Sequence, residues 1–315
     1  MTVTISRYTP AMQARWDEFV RNSSNATFLH LRPYMDYHSD RFTDCSLMAH
    51  DGKGRLVAIL PANVSGTTLY SHQGLTYGGW LVTRRHFATP AMLEVWQAAV
   101  EWMRDQGMKR LIYKAIPWIY SRYPADDDLY ALWRMGASTE ACSVSSAIPT
   151  DMPRLDNESS RQEVKRAAEC GITVSESTDT ATFMAMLAAR LQERHGATPV
   201  HSTEEMQMLS ARFPDNIRLF MARNSAGTPV AGILLYITGS VVHTQYIASD
   251  AEGRANGAIP AIVDHVMRHV CDGARYLDFG TSCVDGGRTL NAGLVSQKYS
   301  LGGRPVAYTT YALTL

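Results

Sequence analysis

The sequence predicts an α/β fold with mixed β-sheets, built as two tandem domains of similar architecture. Its 315 residues exceed the usual single domain of roughly 100 to 200 residues. Apolar alternation and turn residues follow the same order of elements twice along the chain. Equivalent positions also recur at nearly constant spacing, because Val230 lies 173 residues after Val57 and Gly273 lies 166 residues after Gly107. These observations indicate an internal duplication.

The first copy is defined by a hairpin, a third strand, and a helix that leads into a further strand. The predicted elements are a strand over 45–50, a turn over 51–54, strands over 56–64 and 68–72, a helix over 89–107, a strand over 110–115 and a helix ending near Gly136. The helix start rests on Thr89 and Pro90, an N-cap residue followed by a proline suited to the first turn.

The second copy repeats this order. The predicted elements are a strand over 217–222, a turn over 224–228, strands over 230–237 and 241–248, a helix over 259–271 and a strand over 275–279. A capping box, in which Ser202 faces Glu205, marks the start of another helix.

The polar, proline-containing stretch 151–160 separates the copies. We therefore divide the chain into domains of residues 1–152 and 153–315.

Charge, hydropathy and cysteine content narrow the partners and the compartment. Lys plus Arg and Asp plus Glu number 30 each, so no net charge attracts the chain to DNA. The longest apolar stretch, around residues 230–236, is far shorter than the roughly 18 residues of a membrane helix, and no secretory signal is visible. Five scattered cysteines without C-x-x-C spacing are typical of reduced thiols. We expect a cytoplasmic protein without a membrane span.

Motifs of several enzyme classes are absent from the sequence. His265 and His269 are four residues apart on a predicted helix, but the intervening residues lack the glutamate of the zinc-protease motif. No G-x-S-x-G elbow and no G-x-x-x-x-G-K-S/T loop occurs. The sequence therefore predicts no metal site and argues against a hydrolase or a nucleotidase.

A segment of the second copy carries a family resemblance. Residues 291–303 read NAGLVSQKYSLGG, which matches without gaps the N-x-x-A-x-x-x-Y-x-x-x-G-F segment that follows the fifth strand of GNAT acetyltransferases. Four further segments take part: HQGLTYGGWLV at 72–82, YKAIPWIYSRYPADDDLYALWR at 113–134, PVHSTEE at 199–205 and YLDFG at 276–280. Together they resemble the Fem-type branch, which comprises two GNAT-like domains, and its bacterial acetyltransferase relatives.

The resemblance implies two tandem GNAT-like acyltransferase domains. It also implies an acyl-CoA as donor, with acetyl-CoA as the expected one. Our hypothesis is acyl transfer to an amine or hydroxyl of a small polar or sugar-derived acceptor. No nucleophile for a covalent intermediate is evident, so the acceptor would attack the donor directly, helped by positioning and charge stabilisation.

Donor-binding candidates surround a predicted pyrophosphate loop. The segment RANGAI, residues 254–259, follows the GNAT pattern Q/R-x-x-G-x-G/A up to its last position. Backbone N–H groups at a helix N-terminus suit a pyrophosphate, and Gly257 permits a close approach, so Gly257→Val is expected to weaken donor binding without a change in stability. A merely flexible loop is the alternative. The donor-binding candidates are Arg254, Asn256, Gly257, Ala258, Tyr246 and Asn291.

Three residues are candidates for the chemical step. Lys298 lies where many GNAT members have a tyrosine acid, and its ammonium can protonate a leaving thiolate or neutralise an oxyanion; an exposed lysine is the alternative. Asp278 ends an apolar strand and either orients the nucleophile or caps the following loop. His201 is either a base for the acceptor, since histidine titrates near neutral pH, or a solvated loop residue.

Acceptor-binding candidates are spread over both copies: Tyr77, Gly78, Lys114, Gln245 and Gln297. The N-terminal copy has no R-x-x-G-x-G pattern, so we interpret it as an acceptor-binding wall and the C-terminal copy as the donor and catalytic site. Neighbouring strand residues alternate in direction, so only one of Gln245 and Tyr246 faces the cleft, and we predict that it is Tyr246.

Two other hypotheses stay open. The Fem-type resemblance implies an aminoacyl-tRNA donor and a cell-wall or peptide precursor as acceptor, with Arg161, Lys165 and Arg166 contacting phosphates. The neutral net charge counts against this donor. Alternatively, the chain is a non-catalytic tandem fold that binds a ligand, because Ile259 replaces the last small residue of the loop pattern.

Overall fold

The computed structural model describes residues 2–84 and 87–315, with only the backbone at His195. The chain forms two compact units. Unit 1 comprises the residues up to Ser143, together with Cys283–Thr289 and Ala307–Leu315. Unit 2 comprises Val144–Ser282 and Leu290–Val306. The division predicted between residues 152 and 153 stays a prediction about the extent of each sequence copy.

The secondary structure is an α/β mixture. The strands are β1 (Thr4–Arg7), β2 (Thr43–Asp44), β3 (Leu47–His50), β4 (Leu56–Leu60), β5 (Asn63–Ser65), β6 (Thr68–Tyr70), β7 (Leu81–Val82), β8 (Arg110–Lys114), β9 (Ser138–Pro149), β10 (Thr173–Ser177), β11 (Ile217–Arg223), β12 (Pro229–Ile237), β13 (Val241–Ser249), β14 (Tyr276–Thr281), β15 (Cys283–Val284), β16 (Thr289–Leu290) and β17 (Arg304–Thr314). The helices are α1 (Gln13–Asn22), α2 (Arg32–Met35), α3 (Thr89–Asp105), α4 (Asp127–Arg134), α5 (Glu158–Glu169), α6 (Thr180–His195), α7 (Thr203–Arg212), α8 (Ala251–Ala255), α9 (Ala258–His269) and α10 (Ala292–Ser300). Over the described residues, no helix is long and apolar enough to cross a membrane.

Unit 1 contains two sheets. The first has the order β1-β3-β4-β7 and is antiparallel. The second has the order β17-β8-β6-β5-β2, in which β6 and β8 are parallel. The strand predicted over residues 56–64 is therefore two strands, β4 and β5, which lie in different sheets. Pro61 stands between them, and because proline has no N–H to donate, it interrupts a ladder.

The helix predicted from Thr89 begins one residue earlier than its predicted cap implies. Ala88 is the N-cap, and Thr89 and Pro90 are the first two helical residues. The helix packs its apolar stripe into the core of unit 1, where Trp96 lies between Trp80 and Tyr113 at ring-centroid distances of 6.0 and 5.3 Å.

Unit 2 is built on a sheet of order β10-β11-β12-β13-β14-β9. Neighbouring strands are antiparallel except for β13 and β14, which are parallel. One face is covered by α9, whose buried stripe includes Ile262, Val263 and Val266. The other face carries α6 and α7: a Cβ on Gly232 would lie 2.6 Å from the Phe183 ring, and the Tyr236 hydroxyl lies 4.0 Å from the Met206 sulfur.

The duplication is confirmed by the register of the two parallel strand pairs. In unit 1, Thr68 pairs with Arg110. In unit 2, Val241 pairs with Tyr276. The two first strands differ by 173 residues and the two second strands by 166, the same spacings that the sequence indicates. Both units therefore place equivalent residues at the point where a parallel pair ends.

The interior of unit 1 contains histidines that remain uncharged at neutral pH. His38 and His72 are buried and stacked at a ring-centroid distance of 5.2 Å. Burial, followed by electrostatic interactions with His38, Arg32 and Lys114, lowers the pKa of His72 to about 3. His72 also has a φ of 64°, a left-handed conformation that asparagine tolerates better than most residues.

We predict that His72 makes unit 1 sensitive to acid. An unfolded histidine binds a proton near pH 6.5 whereas the folded His72 does not, so its contribution to stability is complete above pH 6.5 and is lost as the pH falls toward about 3. In His72→Asn, the loss of unfolding free energy between pH 7.5 and pH 5 should be about 2 kcal/mol smaller than in the wild type. Urea denaturation at both pH values measures this, with the exposed His269→Asn as a control. An equal loss in wild type and variant would contradict the prediction.

Candidate functional site

The candidate site of unit 2 lies where two parallel strands separate. Val241–His243 of β13 pairs with Tyr276–Asp278 of β14. Over the described residues, this pairing does not continue, although β13 runs on to Ser249 and β14 to Thr281. The strand edges beyond His243 and Asp278 therefore present backbone N–H and C=O groups to an opening between them.

A β-bulge lies at the start of this opening. Leu234 of β12 pairs with Tyr246 and Leu235 pairs with Thr244. Gln245 is the extra residue between the two pairs and is half-buried. Bulges redirect side chains and are common near active sites, so the bulge sets the direction in which Tyr246 points.

Tyr246 and His243 project from the sheet face that α6 and α7 cover. Tyr246 pairs with Leu234 and His243 with Tyr236. Leu234 and Tyr236 alternate with residues of the α9 face, and the Tyr236 hydroxyl contacts Met206 of α7. Paired residues of neighbouring strands share a face.

The structure brings together two residues that the sequence analysis assigns to the site separately. The His201 Nδ1 atom lies 2.6 Å from the Tyr246 hydroxyl, and His201 is buried rather than solvated. The predicted capping box holds the backbone beside it, because Ser202 and Glu205 each bond the other's backbone N–H. Burial raises the pKa of the Tyr246 phenol.

A cavity of about 420 Å³ lies beside this pair. It is enclosed by α6, the loop before α7 and the first turns of α7. Its lining residues are Met184, Ala188, Thr198, Pro199, Val200, His201, Ser202, Thr203 and Glu205. The lining thus combines hydroxyl groups, one imidazole and one carboxylate with the apolar side chains of Met184, Ala188, Pro199 and Val200.

Asp278 is fully buried and belongs to a polar group that the sequence analysis missed in part. Its Oδ2 atom lies 2.8 Å from His243 Nδ1, and its Oδ1 atom accepts a hydrogen bond of 2.5 Å from Ser145. His243 was not among the predicted site residues. The sequence contains a signal for His243. In the second copy, His243 lies near the start of the strand predicted over 241–248, and Asp278 lies at the end of the strand predicted over 275–279. Pairing these two strands in parallel brings the two residues together.

Lys298 has a structural role that the sequence analysis did not predict. It lies on α10, and its ammonium is buried and donates to the carbonyl groups of Gly280 (2.7 Å) and Thr281 (2.9 Å). The alternative of an exposed lysine therefore does not describe this side chain, and its predicted role in the chemical step stays a prediction. The two bonds hold the end of β14 in place beside the opening.

The predicted pyrophosphate loop is partly helical. Arg254 and Ala255 end α8, and Arg254 Nη1 donates to the Ser249 carbonyl at 2.7 Å. Gly257 is the N-cap of α9 with a φ of 71°, and Ala258 is fully buried. Arg254 and Ala255 are exposed and Asn256 is half-buried, so a ligand can reach these three loop residues.

The close approach at Gly257 is made by the protein itself. A Cβ on this residue would lie 2.4 Å from the Glu163 carbonyl oxygen of α5. Its positive φ adds strain for any other residue. Gly257→Val is thus expected to destabilise unit 2, and the sequence-based expectation of unchanged stability is corrected.

Asn291 and Gln297 lie at the two ends of α10. Asn291 is the N-cap, and its side chain accepts a hydrogen bond of 3.0 Å from Leu294 N–H. Its own N–H donates to the Ser282 carbonyl at 2.9 Å. Gln297 is exposed. The contacts of Asn291 are those of a structural cap, and its predicted role in donor binding stays a prediction.

The equivalent opening in unit 1 is filled by its own backbone. Lys114 Nζ donates to the carbonyls of Gln73 (3.1 Å) and Leu75 (2.9 Å), and Gly78 N–H donates to the Lys114 carbonyl at 3.0 Å. A Cβ on Gly78 would lie 2.1 Å from the Ser71 carbonyl oxygen. The loop therefore folds back over the strand end.

Tyr77 of this loop is buried, and its hydroxyl contacts Thr27 at 3.3 Å. Burial lowers the pKa of Lys114 to about 8. The three predicted N-terminal residues, Tyr77, Gly78 and Lys114, thus lie close together in the fold and help to close the opening.

Comparison with known proteins defines the class of fold. Residues 157–287 match the family described as acetyltransferase (GNAT) domain. The mixed α/β architecture, repeated in tandem, is the GNAT-type, Fem-like tandem fold. No curated protein matches the sequence.

Solved structures with this fold include three of particular interest. FemX superposes with a TM-score of 0.71 at 15% identity, covering 99% of this chain and 97% of that chain. L-PGS from Bacillus licheniformis gives 0.60 at 11% identity, covering 97% and 91%. A tandem GNAT protein from the clavulanic acid biosynthesis pathway, solved without AcCoA, gives 0.53 at 14% identity, covering 99% and 98%. These likenesses concern the fold.

We predict that Lys298→Met lowers the free energy of unfolding by about 1–3 kcal/mol, because two carbonyl groups lose a buried charged donor. The exposed Ser296→Ala on the same helix should change it by less than about 0.5 kcal/mol. Chemical denaturation of both variants provides the measurement. A Lys298→Met protein as stable as the wild type would contradict this structural role.

Proposed function

We propose that the chain is an acyltransferase that binds an acyl-CoA in the opening between β13 and β14 and transfers the acyl group to an amine or hydroxyl. The observation that carries this proposal is the separation of the two parallel strands directly after His243 and Asp278. The family match over residues 157–287 covers both strands and supports the assignment. The likeness to the tandem GNAT protein of the clavulanic acid pathway, whose structure was solved without AcCoA, supports acetyl-CoA as the first donor to test.

The donor would lie along the unpaired edge of β13. An extended chain with amide groups can add to a free strand edge through main-chain hydrogen bonds. The anionic end of the donor would then meet the α8–α9 turn, where Arg254 and Asn256 are accessible. A guanidinium is well suited to phosphate, because its donors are fixed in one plane.

The acceptor would occupy the cavity beside His201 and Tyr246. Among the residues that the structure describes, the cavity lining includes Glu205 as its carboxylate and no lysine or arginine. A neutral polar group or an amine suits this lining, whereas a phosphate would meet a carboxylate without a compensating cation. We therefore propose an amine or a hydroxyl on a small polar or sugar-derived molecule, with any phosphate outside this cavity.

A second candidate donor is an aminoacyl-tRNA, which the Fem-type resemblance implies and the likeness to FemX favours. The basic residues proposed for this role are each close to an acid. The ion pairs are Arg161–Asp156 at 3.2 Å, Lys165–Glu169 at 3.8 Å and Arg166–Glu163 at 3.9 Å. Because these charges are partly neutralised, α5 offers little attraction to a polyanion, and we favour acyl-CoA.

A cytoplasmic location is part of the proposal. All five cysteines are free thiols, and free thiols are typical of reducing compartments. The proposed donor, acyl-CoA, would also reach the opening from solution, which fits a cytoplasmic location.

The proposal predicts one donor site per chain, because the equivalent opening of unit 1 is filled by residues 73–79. Titration calorimetry with acetyl-CoA should give a stoichiometry of one. Arg254→Ala should weaken binding about tenfold, the loss of roughly one charged hydrogen bond. Arg268→Ala, which removes an exposed arginine of α9, serves as the control.

Thiol release with acetyl-CoA, and acyl transfer from a charged tRNA mixture, separate the hypotheses. Turnover with acetyl-CoA supports the proposal. Transfer from tRNA without any acetyl-CoA binding would replace the donor by aminoacyl-tRNA, and binding of acetyl-CoA without thiol release would favour a non-catalytic protein. A stoichiometry of two would contradict the single-site assignment.

A further inference from the structure

We propose that His243 is the general base of the acyl transfer and that Asp278 and Ser145 are its positioning residues. This inference rests on the proposed function and goes beyond it, because it assigns the proton transfer to a histidine outside the acceptor cavity.

The contact with Asp278 determines the tautomer of the His243 imidazole. An ionised carboxylate can only accept hydrogen bonds, so at 2.8 Å from Asp278 Oδ2 the His243 Nδ1 atom is the donor. The proton of a neutral imidazole then lies on Nδ1, and the lone pair lies on Nε2. Asp278 therefore prepares Nε2 to accept a proton.

The carboxylate of Asp278 is held in one orientation. It is fully buried. Ser145 donates to Oδ1 at 2.5 Å while His243 donates to Oδ2. A buried carboxylate is tolerated when donors satisfy it, and here the two donors fix both oxygens. The orientation of the imidazole is thus set by β9 and β14 together.

The imidazole of His243 points toward the opening between the two strands. His243 is the last residue of β13 that pairs with β14. Gly280, two residues beyond Asp278, has a φ of 72°, and a Cβ there would lie 3.1 Å from His243 Cε1 and 3.8 Å from Nε2. The Cε1–Nε2 edge therefore points along β14 toward the part that has separated from β13. The side chain is 11% exposed while that of Asp278 is 0% exposed, so the imidazole reaches the opening and the carboxylate does not.

His201 is less suited to this role. The partner of its Nδ1 atom is the Tyr246 hydroxyl, a neutral group that stabilises an imidazolium less than a carboxylate does. Its place in the cavity wall fits contact with the acceptor. We therefore assign His201 to acceptor binding.

The proposed step is balanced within the donor, the acceptor and one imidazole. The acceptor nitrogen or oxygen attacks the thioester carbonyl carbon, and its proton passes to His243 Nε2. The new C–N or C–O bond remains as the C–S bond breaks. The imidazolium then returns the proton to the leaving sulfur, which gives the free thiol and a neutral imidazole. Asp278 stays ionised and stabilises the imidazolium.

The decisive variant is His243→Asn. Its amide can still donate to Asp278, so the fold is retained while the base is lost. With acetyl-CoA as donor and ethanolamine as acceptor, which offers an amine and a hydroxyl, we expect kcat to fall by about 10²-fold or more. The donor Kd should stay within about threefold, and the acidic limb of the pH profile of kcat should disappear. His269→Asn on α9 is the matched control.

Asp278→Asn tests the positioning role. An amide at this position can donate to Nδ1, which moves the imidazole proton to Nε2 and removes the base. We expect a loss in kcat of about 10²- to 10⁴-fold. If this variant does not fold, Ser145→Ala serves in its place, with a smaller loss of kcat and a shifted acidic limb.

Nitrogen NMR of histidine-labelled protein tests the tautomer without turnover. We expect the proton of neutral His243 on Nδ1, and a shift of the Nε2 resonance when coenzyme A is added. A proton on Nε2 would overturn the inference, as would a His243→Asn enzyme with wild-type kcat. A third result would also overturn the inference. In this result, the lower kcat of His243→Asn is accompanied by a lower melting temperature, and the acidic limb of its pH profile persists.

The proposed function fails by a different result. A wild-type protein that binds neither acetyl-CoA nor coenzyme A refutes the donor assignment, and the inference falls with it. A wild type that turns over while the His243 variant is unaffected refutes the inference alone.

Discussion

The pairing between β13 and β14 covers three residue pairs and ends at His243 and Asp278. The arrangement of the candidate site depends on this end point. Beyond it the strands leave an opening, the bulge at Gln245 redirects β13, and Tyr246 meets His201 on the face of α6 and α7. Lys298 holds the free end of β14 through two carbonyl groups. The separation is thus maintained by contacts on both strands.

The duplication explains why one unit has an opening and the other does not. Both units have a parallel pair in the same register. In unit 1 the chain turns back after β6, and Gly78 and Lys114 bond each other across the strand end. In unit 2 the chain continues as β13 for six residues beyond His243. A change in the path of one loop therefore decides whether the strand edges are covered, with the sheet itself unchanged.

The sequence predicted the repeated elements well because strand alternation and turn residues are local signals. The predicted turn at 51–54, for example, closes with a hydrogen bond from Asp51 N–H to the Arg55 carbonyl. The prediction failed where tertiary contacts decide. Pro61 divides one predicted strand between two sheets, and the elements β9, β10 and β17 were not predicted. Their side chains are partly exposed, so they lack the clear apolar pattern of β12.

Site residues were predicted less completely, for a related reason. A motif identifies residue types but not what they contact. Gly257 fits a phosphate-binding pattern, yet the atom that requires a glycine there is the Glu163 carbonyl oxygen. Lys298 fits the position of an acid, yet its ammonium is satisfied by backbone carbonyls. His243 belongs to no motif, and its contact with Asp278 becomes visible once the register pairs the two residues.

Unit 1 also provides an internal comparison for the buried pair of His243 and Asp278. The residues at the equivalent register positions are Tyr70 and Ile112. The same parallel pair thus forms without a charged group at its end, so the strand pairing itself does not require a carboxylate. Buried ion pairs contribute little or nothing compared with apolar residues of similar volume. Since an isoleucine serves the fold in one copy, the aspartate in the other is better explained by the chemistry of the opening that it borders than by stability.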